Sequence, residues 1–218
     1  MKLYEEFEEY DSRFLVCEYC DGGTLEDFIF SKKRKVDLKE CKRVIYEIAI
    51  GINFLHKNGL THRDLKGDNV LIHQGKYKIA DFGFANDEST MESVLGTPLY
   101  MAPEIIQNNG KKYCNKVDIW SLATIFYNLL TKDYFFYAER RMQLYNKIVS
   151  KKYDTPRKFR NWDESLKSLF MSCYQKTAEK RLSIQQFLDH PAFADVKEEY
   201  REVLDQINDD IKKNGTPD

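Results

Sequence analysis

The sequence carries almost no excess charge and contains no long hydrophobic run. Its 34 lysines and arginines nearly balance 35 aspartates and glutamates, for a formal net charge of −1, so electrostatics gives no reason to expect a nucleic acid partner. No stretch approaches the ~18 consecutive apolar residues that indicate a membrane-spanning helix. No apolar run follows the first basic residue, so we expect no signal peptide.

Cysteine is scarce as well. The cysteines are Cys17, Cys20, Cys41, Cys114 and Cys173. An odd and scattered set favours reduced thiols in an intracellular, cytoplasmic protein over a disulfide framework. Cys17 and Cys20 form a C-x-x-C pair, which is typical of some metal and redox sites. A structural zinc site needs about four ligands and no second pair occurs, so we expect neither a metal nor a redox function there.

The order of the predicted elements, a few strands and then many helices, indicates an α+β protein dominated by helix. Strands are expected at Leu3–Phe7 and Arg13–Tyr19, with Thr24 capping a short helix after them. Lys39–Lys57 is the clearest helix, because apolar residues recur at helical spacing and Gly59 follows as a stop signal.

The sequence after Pro103 is predicted to be helical to its end. Val117–Leu130 is nearly all apolar, so this helix should be buried. The later helices are expected at Arg141–Ser150, Ser165–Tyr174, Ser183–Leu188 and Asp195–Lys213. The last of them has one apolar stripe, which we expect to pack on the rest of the domain or on a partner. Residues 83–100 have no periodicity and predict a long functional loop.

Three short motifs in a fixed order carry the strongest signal. Residues 62–69, HRDLKGDN, fit the H-R-D-x-x-x-x-N pattern of a kinase catalytic loop. Asp81-Phe82-Gly83 begins twelve residues after Asn69, and Ala102-Pro103-Glu104 closes the loop that follows. Each of the shorter motifs alone is weak, but their order and spacing together are specific. From about residue 3 to about residue 193, the sequence resembles the eukaryotic protein kinase family, serine/threonine type.

The resemblance implies a protein-kinase-like fold, mostly the helical large lobe. Residues 1–20 would be a remnant of the small lobe with two strands and the hinge, 21–193 the large lobe with the catalytic loop and activation segment, and 194–218 a C-terminal amphipathic helix and tail. The family's glycine-rich loop, strand lysine and helix glutamate are expected upstream of Leu3. We therefore expect these 218 residues by themselves to be a truncated domain with little activity.

The implied function is transfer of the γ-phosphate of ATP, with Mg²⁺, to serine and threonine hydroxyls of protein substrates. Such a reaction needs positioning and charge neutralisation more than covalent help from the protein. The resemblance assigns Asp64 to the substrate hydroxyl, Lys66 to the transferred phosphate, and Asn69 and Asp81 to Mg²⁺. Lys66 and Thr97 both match the serine/threonine class, in which the threonine contacts the catalytic aspartate and lysine.

The resemblance also implies an ATP site and a set of structural contacts. The residues implied to contact ATP are Glu18, Cys20, Lys66, Asn69, Leu71 and Asp81. Glu18 and Cys20 would bind adenine through their backbone, and Leu71 would lie under the purine. Glu104 and Arg181 match a buried ion pair, and Asp118 matches the residue that holds the backbone near His62.

The loop between the second and third motifs is expected to carry a regulatory phosphate. Arg63 precedes the catalytic aspartate, and in the family such an arginine receives a phosphate from the activation loop. Ser93 lies three residues before Gly96, where relatives carry that phosphate. Ser93 is therefore the predicted phosphosite, with Thr90 and Ser89 as the next candidates.

The alternative class is a pseudokinase or protein-docking module without phosphotransfer. Intact Asp64, Asn69 and Asp81 argue against it, because a scaffold does not need all three, whereas the missing strand lysine argues for it. Within the family, residues 78–85 and 96–102 resemble the autophagy-initiating kinases, and several other groups come close.

Overall fold

Small antiparallel strand pairs and a larger set of helices make up the computed structural model, which describes residues 1–32, 36–87, 97–107, 114–150 and 157–214. The strands are β1 (Leu3–Glu9), β2 (Ser12–Cys17), β3 (Leu60–Thr61), β4 (Val70–His73), β5 (Lys76–Ile79) and β6 (Asn86–Asp87). They pair as β1–β2, β3–β6 and β4–β5. The α-helices are α1 (Leu25–Phe30), α2 (Leu38–Lys57), α3 (Pro103–Ile106), α4 (Lys116–Thr131), α5 (Arg141–Val149), α6 (Glu164–Cys173), α7 (Ile184–Leu188) and α8 (Arg201–Asn214). The predicted α+β class is confirmed.

The β1–β2 hairpin is paired only with itself in the described chain and exposes apolar side chains. Tyr10 and Asp11 form its turn with positive φ angles of 48° and 58°, as the tightest hairpin turns require. Phe7 faces Phe14 across the pair, and their rings stack with centroids 5.1 Å apart. Both rings are more than 40% exposed. β2 ends at Cys17, earlier than the predicted Tyr19, because the ladder runs out opposite the first residue of β1.

The core lies between α2 and α4, as their apolar patterns predict. α2 begins after Asp37, whose side chain accepts a hydrogen bond from the amide of Glu40, and Gly59 follows its end with φ +70°. Thirteen of the sixteen residues of α4 are buried. Trp120 in this helix packs edge-on against Tyr174, with ring centroids 4.9 Å apart, and stacks on Phe136. No helix in the described ranges is long and apolar enough to cross a membrane.

The last predicted helix begins later than expected. The sequence predicts a helix from Asp195, but residues 197–200 form a 3₁₀ turn and α8 begins at Arg201. The cause is tertiary: Val196 is fully buried, and its amide bonds to the carbonyl of Phe193 three residues back, which keeps this segment close to the core. The helices α5, α6 and α7 begin and end within one residue of their predicted bounds.

α8 packs against α2 through its apolar stripe. The Tyr200 hydroxyl, just before α8, donates to Glu47 Oε1 at 2.9 Å. Leu204 and Ile207 are partly buried against the core. The side chain of Ile211, which the sequence places on the same stripe, lies outside the described residues.

Candidate active site

The loop between β3 and β4 brings two predicted site residues together. The side-chain nitrogen Nδ2 of Asn69 donates to the carbonyl oxygen of Asp64 at 2.8 Å and to Asp64 Oδ2 at 3.2 Å. A 3₁₀ turn over Gly67–Asn69 produces this approach, because it folds Asn69 back over the preceding residues. Asp64 and Asn69 are 5% and 6% exposed, so the carboxylate is held in a largely water-free setting.

Thr97 and Lys66 complete a four-residue network around that carboxylate. The Thr97 amide and hydroxyl both donate to Asp64 Oδ1, at 2.9 and 3.0 Å. Lys66 Nζ donates to the Thr97 hydroxyl at 3.0 Å and lies 3.2 Å from Asp64 Oδ2. The arrangement places the Lys66 ammonium beside the buried carboxylate of Asp64, which suits a reaction that moves a proton and a phosphate between neighbouring oxygens.

Asp81 lies two residues after the end of β5, is exposed, and has a φ of +60°. The Gly83 amide approaches its Oδ1 at 3.3 Å. In the part of the chain that the structure describes, no hydrogen bond joins Asp81 to Asp64 or Asn69. A positive φ is uncommon for a residue other than glycine, and such angles cluster at functional sites.

The oxygen atoms of Asn69 and Asp81 fit a magnesium ion better than a softer metal. Asn69 uses its Nδ2 on Asp64, so its Oδ1 is the atom that can serve a cation. Mg²⁺ is commonly bound through one or two carboxylates together with substrate phosphates, not by an all-protein cage. Among the described residues, no group of three or more His, Cys, Asp or Glu side chains that could hold a metal occurs.

The residues expected at the adenine lie along the segment that follows β2. The amide of Gly22 donates to the carbonyl of Ile72 at 2.9 Å, and the amide of Ile72 donates to the carbonyl of Gly23 at 3.0 Å. These bonds fasten the segment to β4, which carries the half-buried Leu71. The structure thus places Leu71 beside the segment containing Cys20, while their contact with a purine stays a prediction.

The Glu18 side chain ties the same segment to β5. Its carboxylate accepts hydrogen bonds from Lys78 and from the backbone amide of Lys2. The bond from Lys78 is the main cause that lowers the pKa of Glu18 below its usual value. Lys78 lies three residues before Asp81, so this ion pair connects the expected adenine site to the strand that leads to Asp81.

A buried aspartate in α4 holds the backbone that precedes Asp64. Asp118 accepts hydrogen bonds from the amides of His62 and Arg63 at 2.9 and 3.0 Å. His56 contributes a third bond, from its Nε2, at 2.9 Å. Burial acts to raise the pKa of Asp118, but the hydrogen bond from His56 and the nearby histidines hold that pKa below its ordinary value. Asp118 is therefore a charged anchor for the catalytic loop, and φ of +70° at Arg63 shows the tight turn it stabilises.

We expect Asp118→Asn to lower the free energy of unfolding by roughly 2 kcal/mol at neutral pH, since hydrogen bonds to a buried charge are lost. The pKa of Asp118 is depressed in the folded state, so its charge stabilises the fold above the ordinary value of 3.8. That contribution disappears as the pH falls below this value toward the folded pKa. Urea unfolding of wild type and variant should show a constant gap near neutrality that narrows in acid.

Asp205→Asn, which changes an exposed carboxylate on α8, is the control for this comparison. It should leave the free energy of unfolding unchanged at every pH. A gap for Asp118→Asn that is as wide in strong acid as at neutral pH would contradict the charged-anchor interpretation.

The predicted ion pair between Glu104 and Arg181 is present, and His62 makes two further contacts near the catalytic loop. Arg181 donates from both terminal nitrogens to the carboxylate of Glu104, at 2.7 and 2.8 Å. The Arg181 side chain has no exposed surface. Nε2 of His62 donates to the carbonyl oxygen of Ala80 at 3.0 Å, and the centroids of the His62 and Phe82 rings lie 5.5 Å apart.

Sequence reasoning missed several residues that the structure connects to this site. His56 supports Asp118 from the end of α2, and Lys78 holds Glu18. Glu26 on α1 binds the hydroxyl groups of Tyr100 and Tyr134. A histidine at a helix end and a glutamate in a first helical turn have ordinary local explanations, so no sequence signal distinguished them.

The family model described as Protein kinase domain matches residues 1–193. The chain belongs to the protein kinase family. Its fold is therefore the kinase-like α+β fold that the motifs imply, with Asp64 in the catalytic loop and Asp81 in the D-F-G motif. Ser93, the predicted phosphosite of this kinase, lies outside the described residues.

Curated relatives place this kinase in the serine/threonine class. It is 34% identical to a probable serine/threonine-protein kinase, fhkC, of Dictyostelium discoideum over 94% of this chain and 36% of the relative. It is 34% identical to a probable myosin light chain kinase of the same organism, over 98% of this chain and 70% of the relative. It is 37% identical to the serine/threonine-protein kinase ATG1a of Arabidopsis thaliana, over 87% of this chain and 31% of the relative.

The chain thus spans about a third of the length of fhkC and of ATG1a, and 70% of the length of the probable myosin light chain kinase. Similar identity to differently named kinases supports the family and does not single out one group within it.

Proposed function

We propose that the protein transfers the γ-phosphate of ATP to serine and threonine hydroxyls of other proteins. The observation that carries this proposal is the network in which Thr97 and Lys66 converge on the buried carboxylate of Asp64. Asp64 orients the substrate hydroxyl and accepts its proton as the hydroxyl oxygen attacks the γ-phosphorus of ATP. The bond from that phosphorus to the bridging oxygen breaks, and ADP leaves. The Thr97 amide and hydroxyl both donate to Oδ1. Oδ2, which Asn69 Nδ2 and Lys66 Nζ approach at 3.2 Å, is the oxygen that we assign to the incoming hydroxyl.

Lys66 supplies a positive charge next to the reacting oxygens. Its ammonium group, bonded to Thr97 and close to Asp64, can turn toward a phosphate without moving its backbone. Placed charges of this kind are worth more in a water-poor site than in bulk water, because screening is weaker there. The contact between Lys66 and Thr97 also supports the serine/threonine class, since both residues match that class in the sequence.

ATP and Mg²⁺ are the small-molecule partners of this reaction. Mg²⁺, when bound, neutralises charge on the phosphates. Asn69 Oδ1 and the exposed carboxylate of Asp81 are the atoms that would hold it. Glu18 and Cys20 would bind adenine through backbone groups, with Leu71 beneath the ring; the bonds that fasten this segment to β4 support that placement.

The decisive experiment is a phosphotransfer assay on the native protein, purified through a C-terminal tag on its own gene. The protein is incubated with labelled Mg²⁺-ATP and a mixture of peptides that contain serine, threonine or tyrosine, and the labelled amino acids are identified. We expect phosphoserine and phosphothreonine without phosphotyrosine. Label on tyrosine would refute the hydroxyl class, and an absence of label would favour the docking-module alternative.

We further infer a cytoplasmic location and control by phosphorylation at Ser93. The five cysteines, all free thiols, support a reducing compartment. Arg63 supports the phosphosite, because its buried guanidinium lies directly before Asp64 and its Nε donates to the carbonyl of Phe84. A phosphate adds about 1.5 to 2 negative charges and can order a loop through such an arginine.

Ser93→Ala is expected to lower kcat of the native protein by about 10-fold or more, since one to three charge-assisted hydrogen bonds are lost. Mass spectrometry of the active protein should find phosphate on Ser93, and phosphatase treatment should reproduce the loss. Ser89→Ala and Thr90→Ala are the matched controls. If one of these controls loses activity while Ser93→Ala retains it, the site has been assigned to the wrong residue.

A further inference from the structure

The carboxylate of Glu26 joins three segments that are far apart in the sequence. The hydroxyl of Tyr100 donates to Glu26 Oε2 at 2.9 Å, and the hydroxyl of Tyr134 donates to Oε1 at 2.6 Å. Glu26 lies in α1, Tyr134 follows α4, and Tyr100 ends the 3₁₀ turn Pro98–Tyr100. One side chain therefore ties α1 to the segment that carries Thr97.

The same glutamate lies directly against the catalytic loop. A Cβ atom added at Gly67 would be 2.2 Å from Glu26 Oε2 and 3.0 Å from the Glu26 Cα atom. A contact of 2.2 Å is too short for real atoms, so the loop approaches α1 as closely as a residue without a side chain allows. Gly67 sits between Lys66 and Asn69, and the Glu26 carboxylate is thus packed between the catalytic loop and Tyr100.

The two tyrosines are held in an environment that keeps their hydroxyl groups protonated. Their rings meet edge to face with centroids 6.2 Å apart, and Phe30 stacks on Tyr134 at 5.4 Å. Burial, with the neighbouring Glu26, raises the pKa of both tyrosines. Both hydroxyls therefore remain donors at physiological pH, and the backbone oxygen of Tyr100 is fixed by the Ser121 hydroxyl at 2.8 Å.

We propose that Glu26 is a positioning residue for the protein substrate, an inference that rests on the phosphotransfer function proposed above. Thr97 bonds to Asp64, and the Tyr100 amide donates back to the Thr97 carbonyl at 2.9 Å. Because Thr97 contacts Asp64 directly, a polypeptide that presents a hydroxyl to Asp64 lies beside this segment. Releasing Tyr100 and Tyr134 from Glu26 therefore displaces the surface that receives the peptide.

The adenine segment is fastened separately, to β4 and to Lys78. Loss of the Glu26 contacts should consequently weaken peptide binding and spare nucleotide binding. Because hydroxyl groups occupy both carboxylate oxygens, Glu26 serves as a structural acceptor and does not recognise a basic side chain of the substrate.

The test uses the native protein, a serine-containing peptide and Mg²⁺-ATP, with the variants Glu26→Gln and Tyr134→Phe. Loss of a hydrogen bond to a charged group should raise the KM for the peptide about 10-fold. The KM for ATP should stay within about twofold of wild type, a split that a general loss of structure does not produce. The peptide KM of the double variant should be no higher than that of the more impaired single variant. Both substitutions act on the same hydrogen bond, between Tyr134 and Glu26, so their effects should not add.

Asp27→Asn is the matched control, since Asp27 is the next residue of α1 and its carboxylate bonds to the Thr24 hydroxyl. Its peptide KM should equal that of wild type. An active wild type with unchanged peptide KM in both variants overturns the inference and leaves the proposed function standing. The inference is also overturned if the variants show a lower kcat, higher KM values for both peptide and ATP, and lower thermal stability together. That result would mean that Glu26 has only a structural role. A wild type without phosphotransfer overturns the proposed function, and the inference with it.

Discussion

Asp64→Asn is expected to lower kcat by about 10² to 10⁴-fold, the range typical for removal of a general base. Asparagine keeps the size of the side chain, and its carbonyl oxygen can still accept from the Thr97 amide and hydroxyl. Its nitrogen, however, would face Lys66 and the Nδ2 of Asn69, which are both donors. The variant therefore loses the proton acceptor and the negative charge while the surrounding fold is retained.

Initial rates with varied peptide and varied ATP measure this effect, and we expect the KM for ATP to change little. Asp68→Asn is the control, because Asp68 lies on the same loop with an exposed side chain and should leave kcat unaltered. A kcat near wild type in Asp64→Asn, for protein shown to be phosphorylating the peptide, would assign proton transfer to another group.

Glu104→Ala is expected to lower the free energy of unfolding by about 3–5 kcal/mol, the usual effect of removing one partner from a buried ion pair. The Arg181 side chain is fully buried, so its charge would lose its only bidentate acceptor among the described residues. The remaining bonds from Arg181, to the carbonyls of Gln175 and Lys116 at 3.0 and 2.9 Å, carry no compensating charge. Urea denaturation at neutral pH measures the loss.

Two variants sharpen this result. Glu198→Ala removes an exposed ion pair with Arg201, both side chains being about 70% exposed, and should leave the midpoint of unfolding unchanged. Glu104→Met combined with Arg181→Met replaces both charges with apolar groups and should recover part of the loss, because no buried charge is left unpaired. If Glu104→Ala costs no more than Glu198→Ala, the pair does not stabilise the fold in the way that its burial indicates.

Local pattern was enough to predict the long helices. The apolar spacing of α2 and the glycine after it predicted a helix from Lys39, and the structure begins it at Leu38. α8 was predicted from the same kind of periodicity but begins later, because the burial of Val196 holds the preceding residues in 3₁₀ turns. A helix boundary that depends on contacts with distant residues is not encoded in the local spacing.

The candidate site likewise contains residues that local sequence predicted and residues that it did not. Asp64, Asn69 and Asp81 were predicted because they belong to short motifs with fixed spacing. Glu26 was not, because its partner Tyr134 lies 108 residues away in the sequence and neither residue belongs to a motif. Pairing over such a distance is decided by the packing of α1 against the catalytic loop, which only the three-dimensional structure reveals.

The near-complete burial of α4 determines which parts of the protein unfold locally and which do not. Because this helix is surrounded by core side chains on nearly every face, its amide groups can meet water only when the whole domain unfolds. The β1–β2 hairpin is at the opposite extreme, with exposed rings and no further strand beside it in the described chain. Separating these two strands would expose little further apolar surface, because the Phe7 and Phe14 rings are already more than 40% exposed. The molecule therefore has a graded local stability, in which Asp64, anchored to α4 through Asp118, belongs to the last part to open.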